Sequence, residues 1–156
     1  MLENCNSAKE RWGGVNELID KWLKERQTLI VKLCDISVNP GSSEENRVER
    51  LQSFCQVLVD YVSAGHFEIY EQLISEAREF NDGGLELAEK VLPKIQPSTE
   101  IALDFNDRFD NINKIDDGTN ALIADLDKLG KTLEERFELE DILIEALHKV
   151  HASSVV

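Results

Sequence analysis

Apolar residues recur three and four positions apart along almost the whole chain, which is the spacing that aligns side chains on one face of an α-helix. No segment sustains the alternation of apolar and polar residues that is typical of a β-strand. The chain is therefore predicted to be all-α. The longer apolar stripes lie at Val15–Leu33, Val48–Val62, Phe67–Phe80, Ile101–Ile112 and Leu122–Leu147.

Glycine, proline and asparagine clusters indicate where these helices end. Gly13-Gly14 would close a short first helix, and Ser63-Ala64-Gly65 would bend or interrupt the chain. Pro93 and Pro97 would end a brief helix that begins at Leu85, because proline removes a helix hydrogen bond. Short helices are thus predicted at Asn6–Trp12 and Leu85–Leu92, and further breaks at Asn39–Gly41, Asn81–Gly84 and Asn113–Gly118.

Long amphipathic helices with short connections are typical of a helical bundle. We expect an antiparallel helical bundle of four long helices with additional short helices, formed by a single domain over residues 1–156. A chain of this length hides roughly 68–70% of its unfolded surface on folding, which is enough for a real core. Residues 152–156 are expected to be frayed or disordered.

The composition is strongly acidic, with 17 basic and 31 acidic side chains and a formal charge of −14. Residues 100–145 alone hold 14 of the acidic side chains and 5 of the basic ones. Such a field repels nucleic acid phosphates and anionic lipids, and it favours a basic protein partner. Carboxylates that only keep the domain soluble are the commoner explanation of the charge by itself.

Three cysteines, Cys5, Cys34 and Cys55, are odd in number and have no CxxC spacing. This pattern argues against a disulfide framework or a zinc knuckle and fits a reducing cytoplasm. The chain also has no secretory signal pattern and no apolar run near the ~18 residues that a membrane span needs. We therefore expect a soluble cytoplasmic protein.

The segment Phe54–Glu71, FCQVLVDYVSAGHFEIYE, holds the densest polar chemistry of the chain, at the point where two apolar stripes meet. A structural helix pair needs apolar spacing and a turn, but it does not need so many side chains that can hydrogen-bond, stack or titrate. A functional site is therefore expected here. The polar residues concerned are Asp60, Tyr61, Ser63, His66, Tyr70 and Glu71.

Catalytic and metal-binding motifs find little support. Glu145 and His148 have the Glu-x-x-His spacing of di-iron bundles, but a second such pair does not exist. Cys55 lies on an apolar stripe, where cysteine usually acts as a small buried hydrophobe, and no phosphate-binding loop or nucleophile elbow is present. An enzyme and a cofactor are not expected. The alternative left open is a metal or redox protein built around His66, Glu71 and Glu140.

Glu140 follows Phe137 by three positions, which turns its carboxylate toward the apolar stripe of the last helix. A carboxylate in that place must find a partner, and we propose His66 or Tyr70. Asp104 and Arg108 lie four residues apart, as do Arg136 and Glu140, and each pair can form an ion pair within a helix. These four residues are predicted to form a structural polar network: Asp104, Arg108, Arg136 and Glu140.

Three blocks of the sequence resemble the signature blocks of the Rsd/AlgQ family, bacterial regulators that bind the primary sigma factor of RNA polymerase. They are Leu18–Leu23, Phe54–Glu71 and Glu135–Asp141, in the same order along the chain. The AlgQ branch is the more similar one at Arg11–Gly14, Ala102–Arg108 and Phe137–Glu140. Residues 39–46 and 111–120 match the family pattern less well.

The resemblance implies an anti-sigma factor that binds the C-terminal, −35-recognising domain of the primary sigma factor. It would inhibit promoter and core-polymerase interactions of that factor and favour alternative sigma factors in stationary phase. Other regulatory proteins are further candidate partners.

A tryptophan on an apolar stripe is more often a core residue than a contact residue, which applies to Trp22. The residues expected at the partner-binding site are Asp20, Trp22, Arg26, Asp60, Ser63, His66, Phe67, Tyr70 and Glu71.

Overall fold

The computed structural model of the protein describes residues 8–38, 44–109 and 118–155, and these residues form helices almost throughout. The α-helices are α1 (Ala8–Val38), α2 (Glu44–Ala64), α3 (Tyr70–Phe80), α4 (Gly84–Phe109) and α5 (Gly118–Leu147). A five-residue π-helical turn, Gly65–Ile69, joins α2 to α3, and a 3-10 helix, Lys149–Val155, follows α5. No strand occurs in these ranges, so the all-α prediction is confirmed.

Neighbouring helices run in opposite directions, as contacts between α1 and α2 show. Trp22 of α1 stacks on Tyr61 of α2, whereas Asp35, later in α1, binds Arg50, earlier in α2. The same reversal relates α4 to α5, because Ser98 contacts Arg136 of α5 and the later Arg108 contacts the earlier Asp125. The described helices therefore include two antiparallel pairs, α1 with α2 and α4 with α5, and α3 continues α2 beyond the π turn.

The core of the bundle is apolar apart from a few polar side chains. Rings pack between helices, as Phe54 of α2 does edge-on against Phe105 of α4, with centroids 5.8 Å apart. The fully buried positions include Leu29, Leu51, Leu58, Leu122 and Leu147, one or more from each of α1, α2 and α5. Among the buried side chains of the described ranges, Arg136 and Glu140 are charged and lie at 1% exposure. The bundle thus buries a charged pair at its centre.

Two predicted helix breaks are wrong, because tertiary packing overrides the local preference. Gly13-Gly14 lies inside α1, and Pro93 and Pro97 lie inside α4. Both prolines are four residues apart on an exposed face of α4, while Val91, Ile95 and Ser98 on the opposite face are buried. Each proline costs the helix about 3 kcal/mol, and burial of the other face offsets this cost.

The predicted interruption at Ser63-Ala64-Gly65 takes a different form. The helix does not turn back there; it continues through the π turn, in which the backbone N–H of Tyr70 bonds to the carbonyl of Gly65. The loops predicted at Asn39–Gly41 and over most of Asn113–Gly118 lie outside the described residues. The 3-10 helix Lys149–Val155 includes most of the end segment that was expected to fray.

No helix in the described part of the chain combines the length and the apolar character that crossing a membrane would require.

Candidate functional site

Glu140 lies at the centre of a hydrogen-bond network buried between the helices. The hydroxyl of Tyr61 donates to its Oε1 at 2.6 Å, and the hydroxyl of Tyr70 donates to its Oε2 at 2.5 Å. Arg136 donates to Oε2 from one turn earlier in α5 at 3.2 Å, and Arg26 of α1 approaches Oε1 at 3.4 Å. Both carboxylate oxygens are therefore occupied by donors that favour the charged form.

Each tyrosine in the network connects an arginine to the carboxylate. Arg26 Nε donates to the hydroxyl of Tyr61 at 2.9 Å, and Arg136 Nη2 donates to the hydroxyl of Tyr70 at 2.9 Å. Each hydroxyl therefore accepts a hydrogen bond from an arginine and donates one to Glu140, so the hydroxyl acts as both acceptor and donor. These tyrosines are the two that the sequence contains.

The same network ties all five α-helices together. Arg136 Nη1 donates to Ser98 and Thr99 of α4 at 3.0 Å and 2.7 Å, and Arg26 Nη1 donates to Asp141 at 2.6 Å. Together with the tyrosines of α2 and α3, these bonds leave no α-helix of the described ranges outside the network. A buried charge is tolerated in this place because its hydrogen-bonding groups are satisfied.

Burial controls the protonation of the central groups. It raises the pKa of Glu140 above the usual glutamate range, against the opposing effects of Arg136, of both tyrosine hydroxyls and of Arg26. Burial, with the charge of Glu140 next, raises the pKa of Tyr61 and of Tyr70 far above the ordinary tyrosine value. Both phenols therefore hold their protons more tightly than a solvent-exposed tyrosine does.

Trp22 forms the aromatic wall next to this network. Its indole N–H donates to the backbone carbonyl of Tyr61 at 3.0 Å, and its ring lies parallel to the Tyr61 ring with centroids 4.7 Å apart. The edge of Tyr70 meets the same indole, and the guanidinium of Arg26 lies 5.6 Å above it. Trp22 is 2% exposed, so its main role is to pack the interior.

Directly outside this interior is a shallow surface depression that we call the acidic face. Phe67 projects from it with 67% of its side chain exposed, the largest exposed fraction among the large apolar residues described. The carboxylates of Glu25, Asp60 and Glu68 lie around it. The acidic face consists of Glu25, Asp60, Ser63, Ala64, Phe67 and Glu68, and its volume is ≈ 360 Å³.

The residues predicted to contact a partner divide between surface and interior. Trp22 and Tyr70 are buried, which corrects their assignment as contact residues, and Arg26 is mostly turned to Glu140 and Asp141. His66 and Glu71 are exposed but line a different groove, between α3 and α4. The predicted residues that lie on the acidic face are Asp60, Ser63 and Phe67, and Asp20 is exposed on α1.

Of the two residues predicted as partners of Glu140, one is confirmed. Tyr70 contacts Glu140, whereas His66 lies on the surface. A metal site that combines His66, Glu71 and Glu140 is not formed, because the oxygens of Glu140 already accept four donors. In the described ranges no group of three or more potential metal ligands occurs.

The predicted pair of Arg136 and Glu140 is confirmed, and it is fully buried. The predicted pair of Asp104 and Arg108 is wrong, because Arg108 reaches across to Asp125 of α5 at 2.6 Å.

Several residues of the site were not predicted from the sequence. The network also includes Ser98 and Thr99, and the acidic face also includes Glu25 and Glu68. Tyr61 was named among the polar residues of Phe54–Glu71 but was not assigned to the network around Glu140. Ser98 and Thr99 carried no signal, because their partner lies in a distant helix. The spacing of Asp60 and Phe67, seven residues apart on one helix face, could have pointed to Ala64 and Glu68 beside them.

A second buried polar cluster closes one end of the bundle. His148 is fully buried, its Nδ1 lies 2.8 Å from Glu76 and its Nε2 lies 3.0 Å from Asn16. The ring of Trp12 stacks on it at 4.4 Å. The sequence singled out His148 only for its spacing from Glu145, whereas the structure places it in the interior. Nothing in its sequence spacing indicated Glu76 as its partner.

A family model described as "Regulator of RNA polymerase sigma(70) subunit, Rsd/AlgQ" matches residues 1–148 of the chain. A protein of Yersinia pseudotuberculosis serotype O:1b named "Regulator of sigma D" is 37% identical over 148 residues, which cover 93% of this chain and 88% of that protein. A protein of the same name from Salmonella paratyphi B is 37% identical over 149 residues, covering 92% and 90%.

Proposed function

Because this chain belongs to the Rsd/AlgQ family of regulators of the RNA polymerase sigma(70) subunit, we propose that it is a stoichiometric, non-enzymatic anti-sigma factor. Its target is the C-terminal domain of the primary sigma factor, which recognises the −35 promoter element. Binding blocks the promoter and core-polymerase interactions of that domain and favours alternative sigma factors in stationary phase. The site of action is the cytoplasm, where RNA polymerase works.

The observation that supports this proposal is the exposed ring of Phe67 among the carboxylates of the acidic face. Aromatic side chains are enriched at the centre of protein interfaces, and polar residues form the rim around them. A domain that contacts DNA phosphates is basic, and its charges complement these carboxylates. An acidic partner can therefore compete with DNA for the same basic surface.

The carboxylates of the acidic face are held close enough to affect one another. Partial burial raises the pKa of Glu25, and although Lys21 lowers it, the charges of Asp60 and Glu68 raise it again. A cluster of like charges is unfavourable in the free protein, and a cationic side chain from a partner relieves it. The acidic face is therefore suited to arginine and lysine side chains.

The proposal is tested with the isolated C-terminal domain of the primary sigma factor and the full chain. We expect the two proteins to co-elute as a one-to-one complex at low salt, with an affinity that falls steeply as salt is added, because screening weakens the charge attraction. A matched control is Asp127→Ala, which removes one exposed carboxylate of α5 that is not part of the acidic face and should leave binding unchanged. Absence of co-elution at low salt would overturn the proposal.

A further inference from the structure

The π turn Gly65–Ile69 lies between the buried network and the acidic face. Its two ends, Gly65 and Ile69, are buried, whereas the three residues between them are exposed. These three are His66, Phe67 and Glu68. The turn therefore connects the interior directly to the aromatic side chain that the acidic face presents.

The turn accommodates one extra residue, because the N–H of Tyr70 bonds to the carbonyl of Gly65 five residues earlier, whereas an α-helix bonds to the residue four earlier. Tyr61 before the turn and Tyr70 after it are both buried. In an uninterrupted α-helix, residues nine apart such as Tyr61 and Tyr70 lie on opposite sides, because each residue turns by about 100°. The π turn brings both tyrosines to Glu140 and leaves three consecutive side chains outside.

Gly65 permits this geometry because it has no side chain. A Cβ atom at this position would lie 3.0 Å from Cζ2 of Trp22 and 3.3 Å from the hydroxyl of Tyr70. Trp22 cannot easily retreat, since its N–H bonds to the carbonyl of Tyr61 and its ring stacks on the Tyr61 ring. The backbone of the π turn thus rests on the Trp22 indole.

We propose that Gly65 is a positioning residue for partner binding, because its lack of a side chain lets the π turn pack on Trp22 in the form that projects Phe67 from the acidic face. The inference rests on the proposed function, since the partner is the C-terminal sigma domain. A π turn is less favourable than α-helix and recurs at functional sites, so something must hold it in place. Here the bonds of Tyr61 and Tyr70 to Glu140 fix both ends of the segment.

The test measures affinity for the isolated sigma domain in three single variants: Gly65→Ala, Phe67→Ala and Gly130→Ala. Gly65→Ala and Phe67→Ala should each weaken binding by about tenfold or more, as truncation of a central aromatic side chain does. The double variant Gly65→Ala/Phe67→Ala should bind no more weakly than Phe67→Ala alone, since both substitutions act through the side chain of Phe67. Gly130→Ala adds the same atom within α5, where the nearest neighbour is 3.7 Å away, and should bind as the wild type.

A rescue experiment separates positioning from general destabilisation. Trp22→Phe removes the Cζ2 atom that the new Cβ would meet, so the double variant Gly65→Ala/Trp22→Phe should recover most of the affinity. If Gly65→Ala fails to fold, this double variant takes its place. Affinity equal to wild type in folded Gly65→Ala, or no recovery in the folded double variant, would overturn the inference. A wild-type protein that does not bind would instead overturn the proposed function and this inference with it.

Discussion

The hydroxyl of Tyr61 lies 2.6 Å from Oε1 of Glu140, and this bond joins α2 to α5 through the centre of the bundle. Tyr61 and Glu140 are both almost fully buried, and the bond is part of a network that reaches every α-helix described. The interior is thus organised around one carboxylate, and the acidic face lies directly outside it.

Glu140→Gln should lower the free energy of unfolding by about 3–5 kcal/mol, the range found when one partner of a buried ion pair is removed. The NH2 group of glutamine cannot accept a hydrogen bond, so one of the donors around position 140 would face another donor. The guanidinium groups of Arg26 and Arg136 would also lose their counter-charge. Urea unfolding followed by circular dichroism measures this loss. Glu138→Gln, on the same helix and not part of the network, is the control and should change stability little. A loss below about 1 kcal/mol would contradict the assigned role.

Alkaline pH should unfold the protein through its two tyrosines. Their pKa values in the folded state lie above the ordinary value of 10.0, so the unfolded chain releases these protons first. The stability that they contribute is fully present below that pH and is lost above it, at about 2.7 kcal/mol for each pH unit for two groups. Tyrosinate absorbance should therefore rise together with the loss of helix signal.

Phenylalanine variants provide the control for the alkaline titration. Tyr61→Phe/Tyr70→Phe removes both titrating groups, so it should lose stability at neutral pH but should not show the tyrosine-dependent fall. Tyrosinate absorbance that rises around pH 10 while the helix signal of the wild type persists would show that the phenols are not buried as described.

Gly13→Ala should stabilise the protein by about 0.5–1 kcal/mol, since glycine inside a helix is less favourable than alanine. Gly13 lies inside α1, and a Cβ atom there meets nothing within 4 Å. The midpoint of thermal unfolding measures the gain. A drop in that midpoint would contradict a continuous α1 and would favour a helix that ends at Gly13-Gly14, as the sequence alone predicts. Gly83→Ala, at a backbone φ of 92°, is the opposite case and should destabilise.

Asp60→Ala should weaken binding of the sigma domain without lowering the melting temperature. Asp60 is exposed and accepts a hydrogen bond from Gln56 on the same surface, so folding depends little on it. Truncating a charged side chain at the centre of an interface costs about 2 kcal/mol or more, which is about thirtyfold in affinity. Titration calorimetry with thermal unfolding on the same sample separates the two effects. A large drop in stability would move Asp60 into the structural group.

Some of the central network was predictable because it follows from local geometry. Arg136 and Glu140 are four residues apart, and the position of Glu140 on the apolar stripe required a buried partner. The choice of Tyr70 but not His66 was not predictable. In an uninterrupted α-helix, Tyr70 would lie on the side opposite to Tyr61. The π turn between them adds one residue and so brings Tyr70 to the side that faces Glu140.

The sequence by itself determined the helical class, the stripes that face the core, the surplus of negative charge and the family, since these depend on residue order alone. The tertiary structure decided which of the polar residues between Phe54 and Glu71 face inward. Tyr61 and Tyr70 turn to Glu140 in another helix, while Asp60 and Phe67 remain on the surface. The physical reason is that burial and hydrogen bonding between distant helices outweigh the local preferences of a turn, of a glycine pair or of two prolines.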